Sequence, residues 1–199
     1  MNLDKEITGI IEEICREWNK AEKAIKLAEQ VSGKIINPSI YELRYAGRRI
    51  IEAFDHLRNG DKDKTRRLLR DALFDCLRAR HDAVDAATTK IAADLDLARQ
   101  RLGARSILAN FSDFPQLLGE LSEVRDNIAN SREKRDDRDA IYQTIQDNDL
   151  TEIIRLYRNF QASEPLIKSA ARRERLLMFV SLAIGIGCLI VGMVSWYIK

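Results

Sequence analysis

Apolar residues recur at alternating spacings of four and three through residues 3–32, which is the period of one helical face. The positions on this seam are Ile7, Ile11, Ile14, Trp18, Ala21, Ile25 and Ala28. Gly33 follows the seam, and glycine readily adopts the left-handed backbone that ends a helix. The pattern therefore predicts a first helix of four heptads with one buried face.

The same period predicts a second and a third helix. The second begins at Asn37-Pro38, with asparagine as the cap and proline in the first turn, and ends at Asn59-Gly60-Asp61. Its predicted inward residues are Ile40, Leu43, Ile50, Phe54 and Leu57. The third runs from about residue 64 to 101, with Leu69, Leu73, Cys76, Val84, Ile91 and Leu95 among its inward residues. Residues 103–115 are predicted to be irregular, with Ser112 or Asp113 available to cap the helix that follows.

A fourth helix is predicted over residues 114–147, but its character changes along its length. Leu117, Leu121, Val124 and Ile128 form a seam, whereas residues 132–139 read Arg-Glu-Lys-Arg-Asp-Asp-Arg-Asp. Arg132 with Asp136, and Arg135 with Asp139, are opposite charges four residues apart and support a solvated helix. Such a run is more typical of a solvated face than of a binding site. Asn148 or Asp149 then restarts a short helix, and Ser163-Glu164-Pro165 opens the last one.

These patterns predict an all-α fold, because no segment alternates as a strand does. Residues 1–162 form a cytosolic bundle of long helices, which is large enough for one core. A basic juxtamembrane helix follows at residues 163–175, and a transmembrane helix at residues 176–198.

The span is predicted from an uninterrupted run without charge. Residues 176–198 contain no charged side chain, and 23 helical residues rise about 34 Å, enough to cross a hydrocarbon core of about 30 Å. A buried core helix is the alternative, but a run this long exceeds the soluble norm. Trp196 and Tyr197 suit the far headgroup region. Arg172, Arg173 and Arg175 crowd the near side, which predicts residues 1–175 in the cytosol.

The beginning and end of the chain favour a single-pass, tail-anchored protein. The first residues lack the apolar core of a signal peptide, and neither end carries a myristoylation or prenylation motif. All 31 acidic residues and every basic residue except Lys199 precede the uncharged run, so the cytosolic part is close to neutral. This balance argues against a general polyanion binder. Lys168, Arg172, Arg173 and Arg175 can contact anionic lipid headgroups, although flanking charge is also ordinary topology information.

Candidate chemistry is scarce. The chain has three dispersed cysteines, two histidines, no glycine-rich phosphate loop and no metal-binding spacing, so no cofactor or metal is predicted. The one catalytic candidate is the stretch Arg49-Ile-Ile-Glu-Ala-Phe-Asp-His56. It resembles the signature of HEPN domains, in which a histidine follows an arginine after four to six residues. The resemblance implies RNA cleavage, with His56 moving a proton and Arg49 stabilising phosphate charge. The family favours a polar residue after the arginine, whereas this chain has Ile50.

A wider resemblance covers residues 38–87. It rests on Pro-Ser-Ile-Tyr-Glu-Leu-Arg-Tyr-Ala-Gly-Arg-Arg-Ile-Ile-Glu-Ala-Phe and on Leu-Phe-Asp-Cys-Leu-Arg-Ala-Arg-His-Asp-Ala-Val-Asp-Ala. This pair resembles a HEPN-like helical pair of small bacterial proteins. Joined to a span, it is similar in plan to the membrane accessory protein of type VI-B CRISPR systems. That resemblance implies a homo-oligomeric membrane pore in the bacterial inner membrane, antiviral defence and a partner protein from the defence system.

The span carries a separate hint of self-association. Ser181, Gly185, Cys188, Gly192 and Ser195 fall on one stripe of small residues, and such stripes let helices approach closely in lipid. A pore lined by this helix would be weakly polar and would gate by dewetting.

Three functions are therefore compatible with the sequence. The first is an oligomeric membrane effector or regulator. The second is a tethering or scaffold protein, SNARE-like in plan, whose continuous heptad layer would be interrupted at Pro165 and at residues 132–139. The third is an RNase that depends on Arg49 and His56.

Overall fold

The computed structural model describes residues 4–133 and 137–197, without the side chains at positions 194, 195 and 197. The described chain is helical and contains no strand, so the prediction of an all-α fold is confirmed. The α-helices are α1 (Lys5–Ser32), α2 (Asn37–Arg58), α3 (Lys62–Leu102), α4 (Ala104–Asn110), α5 (Phe114–Glu133), α6 (Arg138–Thr144) and α7 (Leu150–Tyr197). One turn of π-helix, Ile145–Asp149, lies between α6 and α7.

Helix α1 has the ends that its sequence dictates. The Asp4 carboxylate accepts a hydrogen bond from the backbone N–H of Glu6 at 3.1 Å and so caps the first turn. Gly33 has a φ of 65°, and its N–H donates to the Glu29 carbonyl at 2.8 Å. The left-handed conformation carries little steric cost in glycine, which confirms the predicted end of the helix.

The described residues divide into two compact units. The first lies within Met1–Asp94 and Gly119–Arg155, and the second within Leu95–Leu118 and Leu156–Lys199. In the first unit, α1, α2 and α3 share a core of buried residues: Ile7, Ile10, Ile14, Ala46, Ala53, Leu68, Leu69, Ala72 and Cys76. Burying one isoleucine or leucine side chain contributes about 1.5–3 kcal/mol, so this core stabilises the three-helix packing.

Helix α2 buries its small residues and exposes large ones. Ser39, Ala46 and Ala53 are buried, whereas Ile40 and Phe54 are exposed, so the prediction that these two point inward was wrong. Small side chains let α2 approach its neighbours closely: a methyl group added at Gly47 would lie 3.8 Å from the Trp18 ring. Periodicity marks an apolar face, but it does not tell which side of the helix its neighbours cover.

Several local predictions also differ from the structure. Helix α4 occupies part of the stretch predicted to be irregular. Helix α2 already includes Asn37, so Ile36 occupies the N-cap position and no side chain caps the helix. Within the range predicted for the fourth helix the structure describes α5 and α6, and the predicted pairs with Arg135 and Asp136 lie outside the described residues. Asp149 does not restart a helix, because it lies in the π turn that leads directly into α7. A π turn contains one extra residue but keeps the chain helical, so no new helix begins there and no cap is needed.

In the second unit, α4 packs with the nearer part of α7. The Phe160 ring lies 5.7 Å from the ring of Phe111 and 5.7 Å from that of Phe114, measured between centroids. The Ser106 hydroxyl donates to the Glu174 carboxylate at 2.7 Å, and the Arg175 guanidinium donates to the Arg101 carbonyl. These contacts fix the part of α7 that precedes its apolar segment.

Pro165 lies inside α7 and does not open a helix, contrary to the prediction. Proline removes one backbone donor and usually kinks or breaks a helix. Here Pro165 is exposed, and the buried residues Phe160, Ile167 and Ala171 pack on either side of it. Tertiary packing therefore outweighs the local preference of the proline.

The character of α7 changes after Ala171. Every residue from Arg172 to Met193 is exposed, and the apolar residues begin at Leu176. This segment is long and apolar enough to cross a membrane, and none of its most apolar 18 residues is buried. The predicted C-terminal apolar helix is confirmed in this form.

Candidate functional site

Arg49 is engaged with a buried carboxylate of α3. Its guanidinium donates to Asp75 Oδ2 at 2.7 Å and to the Asp71 carbonyl at 3.1 Å. Burial raises the pKa of Asp75 despite the neighbouring Arg49 and Arg78, and its side chain is 2 % exposed. A phosphate bound by Arg49 would have to compete with this carboxylate, which would otherwise be left without its main cationic partner.

His56 has a different partner at the end of α2. Its Nδ1 lies 3.6 Å from Asp61 Oδ2, and both side chains are about half exposed. His56 and Arg49 are seven residues apart on one helix, which places them on the same side at a separation of about two turns. Among the described residues, no hydrogen bond or ion pair joins them. The structure thus places each of the two residues beside its own aspartate.

A larger polar cluster, which the sequence patterns did not single out, lies at His81. This side chain is buried in α3, and its Nε2 lies 3.0 Å from Asp139 Oδ1. The imidazole stacks on the ring of Tyr142, with centroids 4.0 Å apart. Hydrogen bonding to His81 lowers the pKa of Asp139, because it favours the charged carboxylate.

Tyr142 connects this cluster to a second carboxylate. The ring is fully buried, and its hydroxyl donates to Asp85 Oδ1 at 2.8 Å. Burial and the hydrogen bond to Asp85 raise the pKa of Tyr142 to about 12. The Arg138 guanidinium lies 5.8 Å from the ring centroid, within the range of a cation–π contact.

Arg80 extends the cluster to α1. The side chain is 1 % exposed, and its Nη1 lies 3.0 Å from Glu17 Oε2. Its Nη2 also donates to the Asp139 carbonyl at 3.2 Å. Since a buried charge is tolerated only with partners, Arg80 ties α1 and α6 to α3. We call the residues Arg80, His81, Asp85, Asp139 and Tyr142 the buried polar cluster. Its arginine, histidine and tyrosine are buried, and its two aspartates lie at the edge, with side chains 31 % and 50 % exposed.

The buried polar cluster is best explained as a structural tie within the first unit. Each of its charged groups faces an opposite charge or a hydrogen-bond partner, so it offers no free acid or nucleophile. Asp139 belongs to the charged run that was interpreted as a solvated face; its side chain is half exposed and also pairs with the buried His81. The sequence signal for this cluster was the polar pair Arg80-His81, which lies between the inward apolar positions Cys76 and Val84 of α3.

A separate cleft of about 300 Å³ lies beside the π turn and is acidic. It is lined by Glu120, Glu123, Val124, Asn148, Asp149 and Glu152. Burial, together with the charges of Glu123 and Glu120, raises the pKa of Asp149. Within residues 4–133 and 137–197, no group of three or more histidine, cysteine or acidic side chains is arranged to hold a metal ion.

The basic residues predicted to meet lipid headgroups lie in the middle of α7. Lys168 forms an ion pair with Glu164 at 3.0 Å, while Arg172 and Arg173 are exposed to solvent. Arg175 is directed to the Arg101 carbonyl. Arg172 and Arg173 therefore remain the most accessible cations next to the apolar segment.

The predicted small-residue stripe is exposed on the apolar segment. Ser181, Gly185, Cys188 and Gly192 are all exposed, and a methyl group added at Gly185 or Gly192 would meet no atom within 4 Å. The side chains of Ser195 and Tyr197 lie outside what the structure describes. Association through this stripe stays a prediction.

Comparison of this chain with protein-family models, with curated proteins and with solved structures finds no match. The functional argument therefore rests on the residues and contacts described above.

Proposed function

We propose that this protein is a homo-oligomeric membrane effector or regulator that perturbs the membrane through its assembled apolar helices. The observation that carries the proposal is the exposure of the apolar segment of α7, from Leu176 to Met193. Removing one large apolar side chain from water contributes about 1.5–3 kcal/mol, so a run of such residues strongly favours lipid over solvent. The helix also satisfies its own backbone hydrogen bonds, which a bilayer core requires.

The basic residues next to the segment support one orientation. Arg172 and Arg173 are exposed immediately before it, and an excess of arginine and lysine marks the cytoplasmic side of a span. We place the helical units in the cytosol and the apolar segment in a bacterial inner membrane. The bacterial setting, antiviral defence and a partner from a defence system rest on the resemblance at residues 38–87.

Self-association of the spans is supported by the free space around the small-residue stripe. Gly185 and Gly192 face no neighbouring atom within one chain, so replacing them by leucine leaves intrachain packing intact. Between chains, the same replacement separates the helices by the width of a side chain. A change in oligomer size therefore reports on contacts between copies.

The test compares wild type with Gly185→Leu/Gly192→Leu and with a matched control, Ile184→Leu/Val191→Leu, which exchanges bulky residues for bulky ones. All three are expressed at equal levels, and oligomer size in detergent and membrane potential in cells are measured. We expect an oligomeric, depolarising wild type, an unchanged control and a weakened stripe variant. A wild type that is monomeric at micromolar concentration and never depolarises cells would overturn the proposal. If all three proteins behave alike, only the role of the small-residue stripe in association is refuted.

A tethering or scaffold function is the second candidate, and one observation favours it. Helix α7 runs without interruption through Pro165 into the apolar segment, which removes one of the two breaks expected from the sequence. A tether would associate without depolarising the membrane, so the same measurement separates the two functions. RNA cleavage is the third candidate. It requires loss of activity in both Arg49→Ala and His56→Ala, and the Asp75 contact with Arg49 does not favour it.

A further inference from the structure

The outward face of α2 carries large apolar and aromatic side chains. Ile51 is 67 % exposed, Tyr41 50 %, Tyr45 46 % and Phe54 46 %. The opposite side of the helix packs through Ser39, Ala46 and Ala53. Aromatic residues and arginine are typical of the cores of protein interfaces, whereas monomers rarely expose apolar patches above a few hundred Å².

Both signs of charge occur along this face, and two ion pairs within the chain join some of them. Arg48 pairs with Glu52 at 2.8 Å, and Arg58 pairs with Asp55 at 3.5 Å through two well-exposed side chains. At 100° per residue, Ile40, Arg44, Ile51 and Asp55 fall within about 60° of one another around the helix. The Arg44 guanidinium lies 5.7 Å from the ring centroids of both Tyr41 and Tyr45, which holds it on the outward face.

We infer that a second copy of this chain docks on this face, with the two α2 helices antiparallel. This inference rests on the proposed homo-oligomer and names its cytosolic contact. A parallel pair would place like charges opposite each other. An antiparallel pair instead brings Arg44 near the partner's Asp55, and two-fold symmetry makes this contact twice.

The arrangement of Arg44 and Asp55 is our reason for choosing a second copy over a lipid surface. On a lipid surface Asp55 would face anionic headgroups, whereas an antiparallel second copy offers it Arg44. The face is complementary to itself, as a two-fold interface must be. A standard interface buries about 800 Å² on each partner, so α2 supplies the centre of a contact that extends beyond this helix.

Charge reversal tests this geometry in the full-length protein. Arg44→Glu or Asp55→Arg places like charges together at two symmetric positions, and each is expected to raise the apparent dissociation constant in detergent at least about tenfold, or about 1.4 kcal/mol. The double variant Arg44→Glu/Asp55→Arg restores opposite charges and is expected to recover association. Within one chain the two residues are about three helical turns apart, so recovery cannot arise intramolecularly. Both side chains are exposed, and circular dichroism should show unchanged helicity.

A crosslinking experiment locates the contact independently. In a Cys15→Ser/Cys188→Ser background, which keeps only the buried Cys76, Ile51→Cys in the purified protein is expected to form a disulfide between copies when a mild oxidant is added. The matched control Lys26→Cys, on an exposed position of α1, is expected to remain uncrosslinked.

The outcomes separate this inference from the proposed function. An oligomeric wild type that tolerates both single charge reversals, or shows no crosslink at position 51, would overturn the α2 contact and leave the effector proposal standing. A monomeric wild type would overturn both. Loss of association in each single variant, with recovery of association in the double variant, would support the antiparallel pair.

Discussion

Removal of the Tyr142 hydroxyl tests the buried polar cluster at one atom. In Tyr142→Phe the ring remains stacked on His81, but Asp85 loses the hydrogen bond that it accepts at 2.8 Å. A hydrogen bond to a charged group contributes about 1.5–3 kcal/mol. The Asp85 side chain is 31 % exposed and has Arg132 at 3.7 Å. Water and Arg132 can therefore replace part of the lost contact, and we expect a loss near the lower end, about 1.5–2 kcal/mol.

For a chain of this size, 1 kcal/mol corresponds to a change of about 2–4 °C in melting temperature. Tyr142→Phe should therefore lower the Tm by about 3–8 °C, measured by circular dichroism of the full-length protein in mild detergent at neutral pH. Thr144→Val is the matched control, because it removes an exposed hydroxyl from the same helix at little expected cost.

A spectroscopic titration gives a second readout. Because the pKa of Tyr142 is raised to about 12, its hydroxyl should ionise after an ordinary tyrosine, and Tyr142→Phe should remove that late component of the absorbance change. The folded state holds this proton more tightly, so the stability contributed by Tyr142 is present below pH 10 and lost as pH rises towards about 12. An unchanged Tm together with an unchanged titration would refute the contact between Tyr142 and Asp85.

Two further predictions concern the carboxylates of the first unit. Because His81 lowers the pKa of Asp139, the stability from this pair is present above the usual carboxylate range and is lost as the pH falls through the lowered pKa. Asp139→Asn should therefore reduce the Tm at neutral pH and weaken the dependence of the Tm on acid pH. A dependence identical to that of wild type would contradict this. Burial raises the pKa of Asp82, which means that its ionised form opposes folding at neutral pH. Asp82→Asn should therefore raise the Tm at pH 7 by a few degrees, and this gain should shrink as the pH falls to the range in which carboxylates titrate. A lower Tm at pH 7 would show instead that the charge of Asp82 stabilises the fold.

The helices themselves were largely predictable, because helix formation depends on local period and end residues. The seam of α1 and the stop at Gly33 agree with the structure. The same reasoning failed where a single residue was expected to begin a new helix. Pro165 and Asp149 were interpreted as helix starts, yet the packing of Phe160, Ile167 and Ala171 continues the helix across the proline.

The candidate sites were less predictable, because a side chain's partners come from distant parts of the chain. Arg49 and His56 were paired by their spacing, but Arg49 binds Asp75 on α3 and His56 lies beside Asp61. His81 and Asp139 are 58 positions apart, and no local pattern connects them.

The sequence by itself determined the all-helical class and the apolar C-terminal helix, since hydrophobic period and uninterrupted apolar length are local properties. Tertiary structure alone decided which face of α2 is covered and which charges are buried together. Period places Ile40 and Phe54 on the helix surface, but only the positions of the neighbouring helices leave them exposed while Ala46 and Ala53 are buried. The buried polar cluster formed for the same reason: a charge enters the interior only where folding brings its partners to it.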